Sequence, residues 1–397
     1  MAGSFISPQG DLETILITNY NDIDQYVGGS LWVWGGGGSG SLGTNDTTNR
    51  SSPVQTVAAG TNWRVLGIAG GGLPSAAIKT DGTLWMWGTN IGGVLGTNDT
   101  TARSSPVQTV AGGTNWKQVA CGYYHTATIK TDGTLWVWGD NPYGQLATNN
   151  TTSRSSPVQT VSAGTNWKSV ACGRYHALAI KTDGTLWAWG LNQFGQVGTN
   201  DRTARSSPIQ TVASGTDWKQ VSGGISHSAA IKTDGTLWLW GENTYGTLGT
   251  NDITHRSSPV QTVSGGTNWK QVSAGSFTTA AIKTDGTLWT WGENSSGSLG
   301  IGVSGNRSSP IQTVSGGNNW KSVSVGNNSQ VGAIKTDGTL WMWGFGSNGE
   351  LGNGSTFARF SPVQTLSGGD NWKQVSAIGN QTLAIHFYDA NNLYPSA

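Results

Sequence analysis

A unit of about 51 residues recurs seven times along this chain of 397 residues, and this repetition constrains the fold more than any other feature. A Leu-Trp-x-Trp motif marks each unit and begins at Leu31, Leu84, Leu135, Leu186, Leu237, Leu288 and Leu340. A second marker, a tryptophan after Asn or Asp, recurs at the same intervals at Trp63, Trp116, Trp167, Trp218, Trp269, Trp320 and Trp372. Two markers with one fixed period predict a repeat architecture.

Each unit carries the turn and strand signals of a four-stranded sheet. Residues 77–88 contain two strand-like runs joined by Asp-Gly, the strongest short-range hairpin signal. A polar loop, a Pro-Val-Gln-Thr-Val strand and a strand that begins at the Asn-Trp marker complete the unit. Four such strands are typical of one propeller blade. We therefore predict an all-β, seven-bladed β-propeller of four-stranded blades over residues 28–387.

The two ends of the repeat array are incomplete in complementary ways. The first Leu-Trp strand, at Leu31, has no Asn-Trp strand before it, and the run 382–385 after Trp372 has no Leu-Trp strand after it. We therefore predict that the N- and C-terminal strands share one blade and close the ring, which removes an open sheet edge. Residues 1–27 form an N-terminal extension outside the repeat, and residues 388–397 form a C-terminal tail.

Composition and charge narrow the range of partners. The chain has 22 basic and 21 acidic residues, spread evenly, so nothing indicates a nucleic-acid or polyanion surface. No apolar run approaches the roughly 18 residues of a membrane helix, and no signal peptide is recognisable. We expect no membrane insertion, and a location in a virion or otherwise in the cytoplasm. Cys121 and Cys172 occupy one repeat position and are expected to be buried free thiols.

No catalytic, cofactor-binding or metal-binding constellation stands out, so the expected function is not enzymatic. His125, His176 and His227 share one repeat position, but other units lack the histidine, and we expect each ring to bond its local backbone. The aspartates of the Asp-Gly turns are expected to cap their own backbone. An arginine stands three residues before proline in every unit, beginning with Arg50. This series is expected to form hydrogen bonds between loops, with anion binding as the alternative.

Residues 122–146 and 173–197 preserve the repeat best, as Gly-x-x-His-x-x-x-Ile-Lys-Thr-Asp-Gly-Thr-Leu-Trp-x-Trp-Gly-x-Asn-x-x-Gly-Gln. Such units resemble repeats of the regulator of chromosome condensation family. The resemblance covers roughly residues 28–387 and implies a seven-bladed propeller with variable surface loops. Members of that family include a nucleotide exchange factor for a small GTPase, a plant UV-B photoreceptor and bacterial inhibitor proteins. The Gly-x-x-His segments here lack the tryptophan of the photoreceptor motif, so light sensing is not expected.

The near identity of the units supports a second resemblance. The run Arg-Ser-Ser-Pro-Val-Gln-Thr-Val and the opening segment 24–32 are similar to propeller proteins encoded by marine bacteriophages. This resemblance implies a virion component such as a capsid, tail or fibre decoration. We therefore predict a non-catalytic structural propeller that binds proteins of a larger assembly. The alternative is a soluble regulatory binding protein resembling the exchange-factor or inhibitor members of the family.

Positions that vary among the otherwise uniform units are the candidate binding residues, because aromatic and arginine side chains are enriched at binding surfaces. They are Tyr123, Tyr124, Arg174, Tyr175, Ile225 and Phe277 in the Gly-x-x-His segments, and Tyr143, Phe194 and Tyr245 in the loops after Trp-Gly. The alternative is that these positions have diverged among the repeats without any role in binding. The N-terminal extension is expected to dock onto another subunit, or to add an edge strand, through Leu12, Ile15, Leu16, Ile17, Tyr20 and Ile23.

Overall fold

Seven antiparallel sheets make up the part of the chain that the computed structural model describes, which is residues 28–69, 74–162, 164–367 and 369–387. Six sheets are continuous in sequence, and the seventh combines strands from both ends of the chain. We number the blades 1 to 7 in the sequence order of the strands that begin at the marker tryptophans, from Trp63 to Trp372, so that blade 7 is the closing blade. The predicted seven-bladed propeller of four-stranded blades is confirmed.

The four strands of a blade are named inner, second, third and outer. The inner strands are Trp63–Leu66, Trp116–Cys121, Trp167–Cys172, Trp218–Gly223, Trp269–Ala274, Trp320–Val325 and Trp372–Ile378. The second strands are Pro74–Lys79, His125–Lys130, His176–Lys181, His227–Lys232, Thr278–Lys283, Gln330–Lys335 and Gln381–His386. The third strands are Leu84–Gly88, Leu135–Gly139, Leu186–Gly190, Leu237–Gly241, Leu288–Gly292, Leu340–Gly344 and Ser30–Gly35. The outer strands are Arg103–Gln108, Arg154–Gln159, Arg205–Gln210, Arg256–Gln261, Arg307–Gln312, Arg359–Gln364 and Arg50–Gln55.

Three short elements lie outside this scheme. The strand Ile68–Ala69 pairs in parallel with the inner strand of blade 2 and ties the first two blades together. Two 3₁₀ helices, Gly38–Gly40 and Ile91–Gly93, lie in the loops that follow the third strands of blades 7 and 1.

The turn between the second and third strands is built as the Asp-Gly signal predicts. In blade 2 one carboxylate oxygen of Asp132 accepts hydrogen bonds from the backbone N–H of Thr134 at 2.9 Å and from its hydroxyl at 2.7 Å. Gly133 follows with a φ of +80°, and a Cβ there would lie 2.2 Å from the carbonyl oxygen of Thr165. Only glycine meets both demands without strain.

Blade 7 closes the ring in the predicted way. The strand Ser30–Gly35 pairs antiparallel with Gln381–His386, in a register that places Trp32 opposite Ala384. Gln381–His386 pairs in turn with the inner strand Trp372–Ile378. The first and last strands of the array therefore share one sheet.

Tryptophans fill the space between blades. In blade 2 the ring of Trp116 lies edge-on to Trp136 and Trp138, at centroid separations of 6.4 and 6.3 Å. The indole N–H of Trp138 donates to the carbonyl oxygen of Val94 in the preceding blade at 2.7 Å. Complete burial of one such ring contributes on the order of 4–6 kcal/mol before entropy costs are counted. The Leu-Trp-x-Trp motif thus supplies both apolar packing and a hydrogen bond between neighbouring blades.

The inner strands surround the axis of the propeller. Those of blades 2 to 7 contact one another in order and the last contacts that of blade 1, while blade 1 reaches the inner strand of blade 2 through Ile68–Ala69. The amide of Gln118 joins two of them by donating to the carbonyl oxygen of Val170 at 2.8 Å. The amide of Gln374 closes the circle by donating to the carbonyl oxygen of Arg64 at 2.8 Å. We call the end that carries the Asp-Gly turns the turn face. The opposite end, which carries the loops after the inner and third strands, is the loop face.

Candidate functional site

Five of the predicted binding residues meet in one cluster on the loop face, across blades 2 and 3. The guanidinium of Arg174 stacks over the ring of Tyr123 at 4.6 Å and lies 5.2 Å from the ring of Tyr175. Tyr124 packs edge-on against Tyr123 at 4.4 Å, and Tyr143 packs against Tyr175 at 5.3 Å. We call these five residues the aromatic–arginine cluster.

The loops after the inner strands position four members of the cluster. The backbone N–H of Gly122 donates to the carbonyl oxygen of His125 at 2.8 Å and closes a tight loop around Tyr123 and Tyr124. A Cβ at Gly122 would lie 2.0 Å from the imidazole of His125, so the loop requires glycine at this point. The N–H of Tyr123 donates to the carbonyl oxygen of Arg174 at 3.2 Å, which fixes one loop against the next.

The loop after the third strand of blade 2 supplies Tyr143, which is 41% exposed. The side-chain amide of Asn141 is buried under this loop and donates to the carbonyl oxygens of Asn150 and Thr152 at 2.9 and 3.1 Å. Its own oxygen accepts from the N–H of Leu146 at 2.9 Å. The loop therefore has one internally bonded conformation, and the cluster is organised before any partner binds.

The remaining predicted binding residues lie outside the cluster. Tyr245 and Phe277 pack together at 5.0 Å in blades 4 and 5, and with Phe345 they line a shallow pocket of about 390 Å³. Phe194 packs on His255 at 5.1 Å. Ile225 is half-buried in the corresponding loop of blade 4.

The predicted docking segment cannot be placed. Its residues, Leu12, Ile15, Leu16, Ile17, Tyr20 and Ile23, lie outside the described part of the chain. The same holds for the tail 388–397. Both segments stay predictions from the sequence.

The expectation that the three repeat histidines bond their local backbone is wrong. All three rings are buried, and two of them bridge to the next blade: His176 Nε2 lies 3.0 Å from the Ser228 hydroxyl, and His227 Nε2 lies 3.1 Å from the Thr279 hydroxyl. Burial lowers the pKa of His125 and of His227 to about 4. Burial and the nearby histidines lower the pKa of His176 to about 3. The series thus consists of neutral structural rings.

The arginine series acts within loops, and the expectation of bonds between loops is wrong. Arg103 pairs with Asp99, four residues earlier, at 2.6 Å and also donates to the carbonyl oxygen of Thr101. The N–H of Thr101 and the charge of Arg103 hold the pKa of Asp99 below its ordinary value, although slight desolvation opposes them. The same pair recurs at Arg50, Arg205 and Arg256. The arginine therefore fixes the shape of its own loop.

A second set of basic residues was not predicted. The residue after each marker tryptophan is basic, and it is the second residue of its inner strand, at the end near the turn face. These residues are Arg64, Lys117, Lys168, Lys219, Lys270, Lys321 and Lys373, which we call the cation ring. The signal was present in the sequence as a repeated Trp-Lys pair. The cation ring was not predicted because the overall charge is nearly balanced. Nothing in the sequence showed that these strands meet at the axis.

Other chemistry is limited in the described residues. No three His, Cys, Asp or Glu side chains come together there in a way that could hold a metal ion. No helix in the same residues is long and apolar enough to cross a membrane. Cys121 and Cys172 are buried free thiols, as predicted, and burial raises the pKa of Cys121 to about 12. Neither thiol is therefore activated as a nucleophile.

Comparisons with known proteins agree with this fold. The chain is 33% identical to the ultraviolet-B receptor UVR8 of Arabidopsis thaliana over 83% of its own length and 76% of the receptor. It is 32% identical to the mouse probable E3 ubiquitin-protein ligase HERC4, but over 51% of this chain and only 19% of the ligase.

Two solved structures share the fold at low sequence identity. Yeast RCC1 (Prp20), in its complex with Kap60, superposes with a TM-score of 0.80 at 18% identity, over 98% of this chain and 97% of the yeast chain. Human WBSCR16 superposes with a TM-score of 0.78 at 20% identity, over 90% of this chain and 99% of the human one. The RCC1-like domain profile matches residues 30–384. The chain therefore belongs to the RCC1-like domain family.

Proposed function

We propose that this chain is a non-catalytic binding module that recognises a protein partner through the aromatic–arginine cluster. The observation that carries this proposal is the packing of the Arg174 guanidinium against both Tyr123 and Tyr175, whose rings lie 6.3 Å apart on neighbouring blades. Tyrosine and arginine are the residues most often found at binding hot spots. An organised cluster of five such residues loses little side-chain entropy on binding, so more of the contact energy is retained as affinity.

The cluster also indicates the chemistry of the partner. The Arg174 guanidinium packs against two rings, and its N–H groups are donors of the kind that match a carboxylate. Tyr124 and Tyr143 add rings that can contact apolar side chains. We therefore propose a partner segment in which an acidic residue is flanked by apolar ones.

The relatives support a binding role without fixing the partner. Yeast RCC1 was solved with Kap60 bound to it, so that relative binds a protein. A photoreceptor and a probable ubiquitin ligase contain the same kind of repeat, so the family supports several functions. A regulatory binding protein is thus the function that the relatives favour.

The cluster can be tested by site-specific cross-linking. A photo-reactive amino acid in place of the exposed Tyr143 is expected to capture a partner from cells that contain the protein naturally, and mass spectrometry would identify it. The same amino acid in place of Asn328, in the corresponding face of blade 6, is the control and is expected to capture no such protein. Equal capture at both positions would contradict a localised site.

Affinity for the captured partner then tests the individual residues. Arg174→Ala with Tyr123→Ala is expected to weaken binding by about 2 kcal/mol or more, because both residues are central to the stack. The matched control is Asn327→Ala with Asn328→Ala. A double variant of the cluster that binds as tightly as the wild type would rule out the proposed site.

We keep the narrower prediction of a virion component as a separate proposal. It is supported by the similarity of the repeat unit and of segment 24–32 to phage propeller proteins, and it assigns docking to residues 1–27. Purified particles from the natural source should then contain the chain at a fixed stoichiometry. Deletion of residues 1–23 should release it from those particles and leave the propeller folded. Absence of the chain from every particle fraction would end this proposal.

A further inference from the structure

The cation ring places seven basic side chains around one axis. Each of the seven is the second residue of an inner strand. The inner strands of blades 2 to 7 and 1 contact each other in order, and Arg64 of blade 1 donates to the carbonyl oxygen of Trp116 in blade 2 at 3.5 Å. The amides of Gln118, Gln220 and Gln271 fix the spacing of neighbouring inner strands by donating to the carbonyl oxygens of Val170, Val272 and Val323 at 2.8 to 3.1 Å. The ring is therefore built on a rigid support.

The charges of the cation ring lack carboxylate partners at contact distance. The ion pairs within 4.0 Å found in the described residues involve the loop arginines and Lys232, and none involves a member of the ring. Burial and the charge of Lys168 lower the pKa of Lys117, and burial with the charges of Lys373 and Lys270 lowers the pKa of Lys321. Neighbouring members therefore repel each other.

The lysines at the ends of the second strands lie on the same face but pack against tryptophan rings. Lys130, at the end of the second strand of blade 2, lies 4.7 Å from the ring of Trp116 and 4.3 Å from that of Trp136. Its charge also acts on Asp132 and lowers the pKa of that carboxyl, after the hydrogen bonds from Thr134. Lysines of this kind are balanced within the fold. In the cation ring the charge of Asp81 acts on Arg64 and opposes the lowering of its pKa by burial, whereas Lys117 and Lys321 are acted on by other lysines of the ring.

We propose that the cation ring binds a compact, multiply charged phosphate anion on the axis of the propeller, at the turn face. Seven cations around a point match an anion whose charge is concentrated, because several ammonium groups can then contact it at once. A nucleic acid needs cations along a path that follows its backbone. Lysine binds phosphate as a point charge with freely rotating donors, which suits an anion without fixed orientation.

Titration with inorganic tripolyphosphate tests this site directly. Calorimetry on the full chain, at constant ionic strength, is expected to show one anion per chain. The triple variant Lys117→Met, Lys168→Met and Lys321→Met is expected to bind at least about tenfold more weakly, a loss of about 1.4 kcal/mol. Methionine keeps the length and apolar character of the lysine stem. The control removes three charges from the same face by Lys130→Met, Lys181→Met and Lys283→Met, and is expected to retain wild-type affinity.

Thermal unfolding of the single variant Lys321→Met gives a second readout that does not depend on the triple variant. Without anion this variant should melt at or above the wild-type temperature, because it relieves repulsion from Lys270 and Lys373. With saturating tripolyphosphate the order should reverse, because the wild type gains more from binding. A variant that stays at or above the wild type under both conditions would contradict the proposal.

Three results would overturn the inference. The first is a rise in the wild-type melting temperature with tripolyphosphate that is no larger than the rise with sodium chloride of equal ionic strength. The second is an equal loss of affinity in the two triple variants, which would indicate a diffuse charge effect. The third is a single-stranded oligonucleotide that binds more tightly than tripolyphosphate and loses that affinity in the ring variant, which would indicate a nucleic-acid surface.

Discussion

At the scale of single residues, the repeat position of the buried histidines shows what the fold demands. The position holds histidine in blades 2, 3 and 4, Thr278, Gln330 and Gln381 in blades 5, 6 and 7, and Pro74 in blade 1. All of these side chains are buried, and all except Pro74 are able to form neutral hydrogen bonds. The position therefore accepts uncharged groups, and histidine is uncharged only while it is deprotonated.

This requirement predicts a pH dependence of stability. Because the folded-state pKa of His227 is about 4 and its ordinary value is 6.5, its contribution is complete above pH 6.5 and is lost as the pH falls towards 4. One such histidine is expected to lower the free energy of unfolding by roughly 3 kcal/mol over this pH range. The free energy of unfolding, measured with denaturant between pH 7 and pH 4, should fall less steeply with pH for His227→Gln than for the wild type. The difference in slope corresponds to the uptake of about one proton fewer on unfolding.

The reverse substitution completes this test. Gln330→His places a fourth histidine at the same repeat position and should steepen the decline below pH 6.5. If neither substitution changes the slope, the buried histidines do not control the acid sensitivity of the protein.

At the scale of elements, the third strand joins each blade to the preceding one through a tryptophan. Six of the seven equivalent indoles donate to a carbonyl oxygen of the preceding blade, for example Trp189 to Gln145 at 2.9 Å and Trp240 to Gln196 at 2.8 Å. The N–H of Trp87 has no acceptor among the described residues, although its ring is equally buried. The chain thus contains a natural comparison of the same residue with and without the bond.

Replacement by phenylalanine should separate packing from hydrogen bonding in this motif. Trp138→Phe loses both ring volume and the bond to Val94, whereas Trp87→Phe loses volume alone. The free energy of unfolding should therefore fall further for Trp138→Phe, by about 1–2 kcal/mol. Denaturant unfolding of the two variants measures this difference, and equal losses would show that the indole bond contributes nothing net.

The elements themselves were predictable because seven copies of each local signal agree. Asp-Gly fixed the hairpins, and the two tryptophan markers fixed the number of blades. The contact between Tyr123 and Arg174 was not predictable in detail, since it depends on how two loops of adjacent blades approach each other. The cation ring was missed for a related reason. Its charges are 51 to 53 residues apart in sequence and come together only when the inner strands surround the axis.

At the scale of the whole molecule, both sites in the described residues combine side chains from more than one blade. The aromatic–arginine cluster spans blades 2 and 3, and the cation ring takes one residue from every blade. Neither site exists within a single blade. Blade 7 holds the two ends of the array together by pairing Ser30–Gly35 with Gln381–His386, so the cation ring, which takes a residue from blade 7, is complete only when the propeller is closed.

Deletion of residues 370–397 tests this dependence, because it removes the inner and second strands of blade 7. The buried side chains of Trp372, Leu383 and Ile385 are lost with them, and the strand Ser30–Gly35 loses its inner neighbour. Cooperative thermal unfolding, followed by tryptophan fluorescence and calorimetry, should therefore disappear. The control deletes only residues 388–397, which follow the last strand, and should unfold as the intact chain does. A chain without residues 370–397 that still unfolds in one sharp transition at the wild-type temperature would show that closure through blade 7 is not what stabilises the ring.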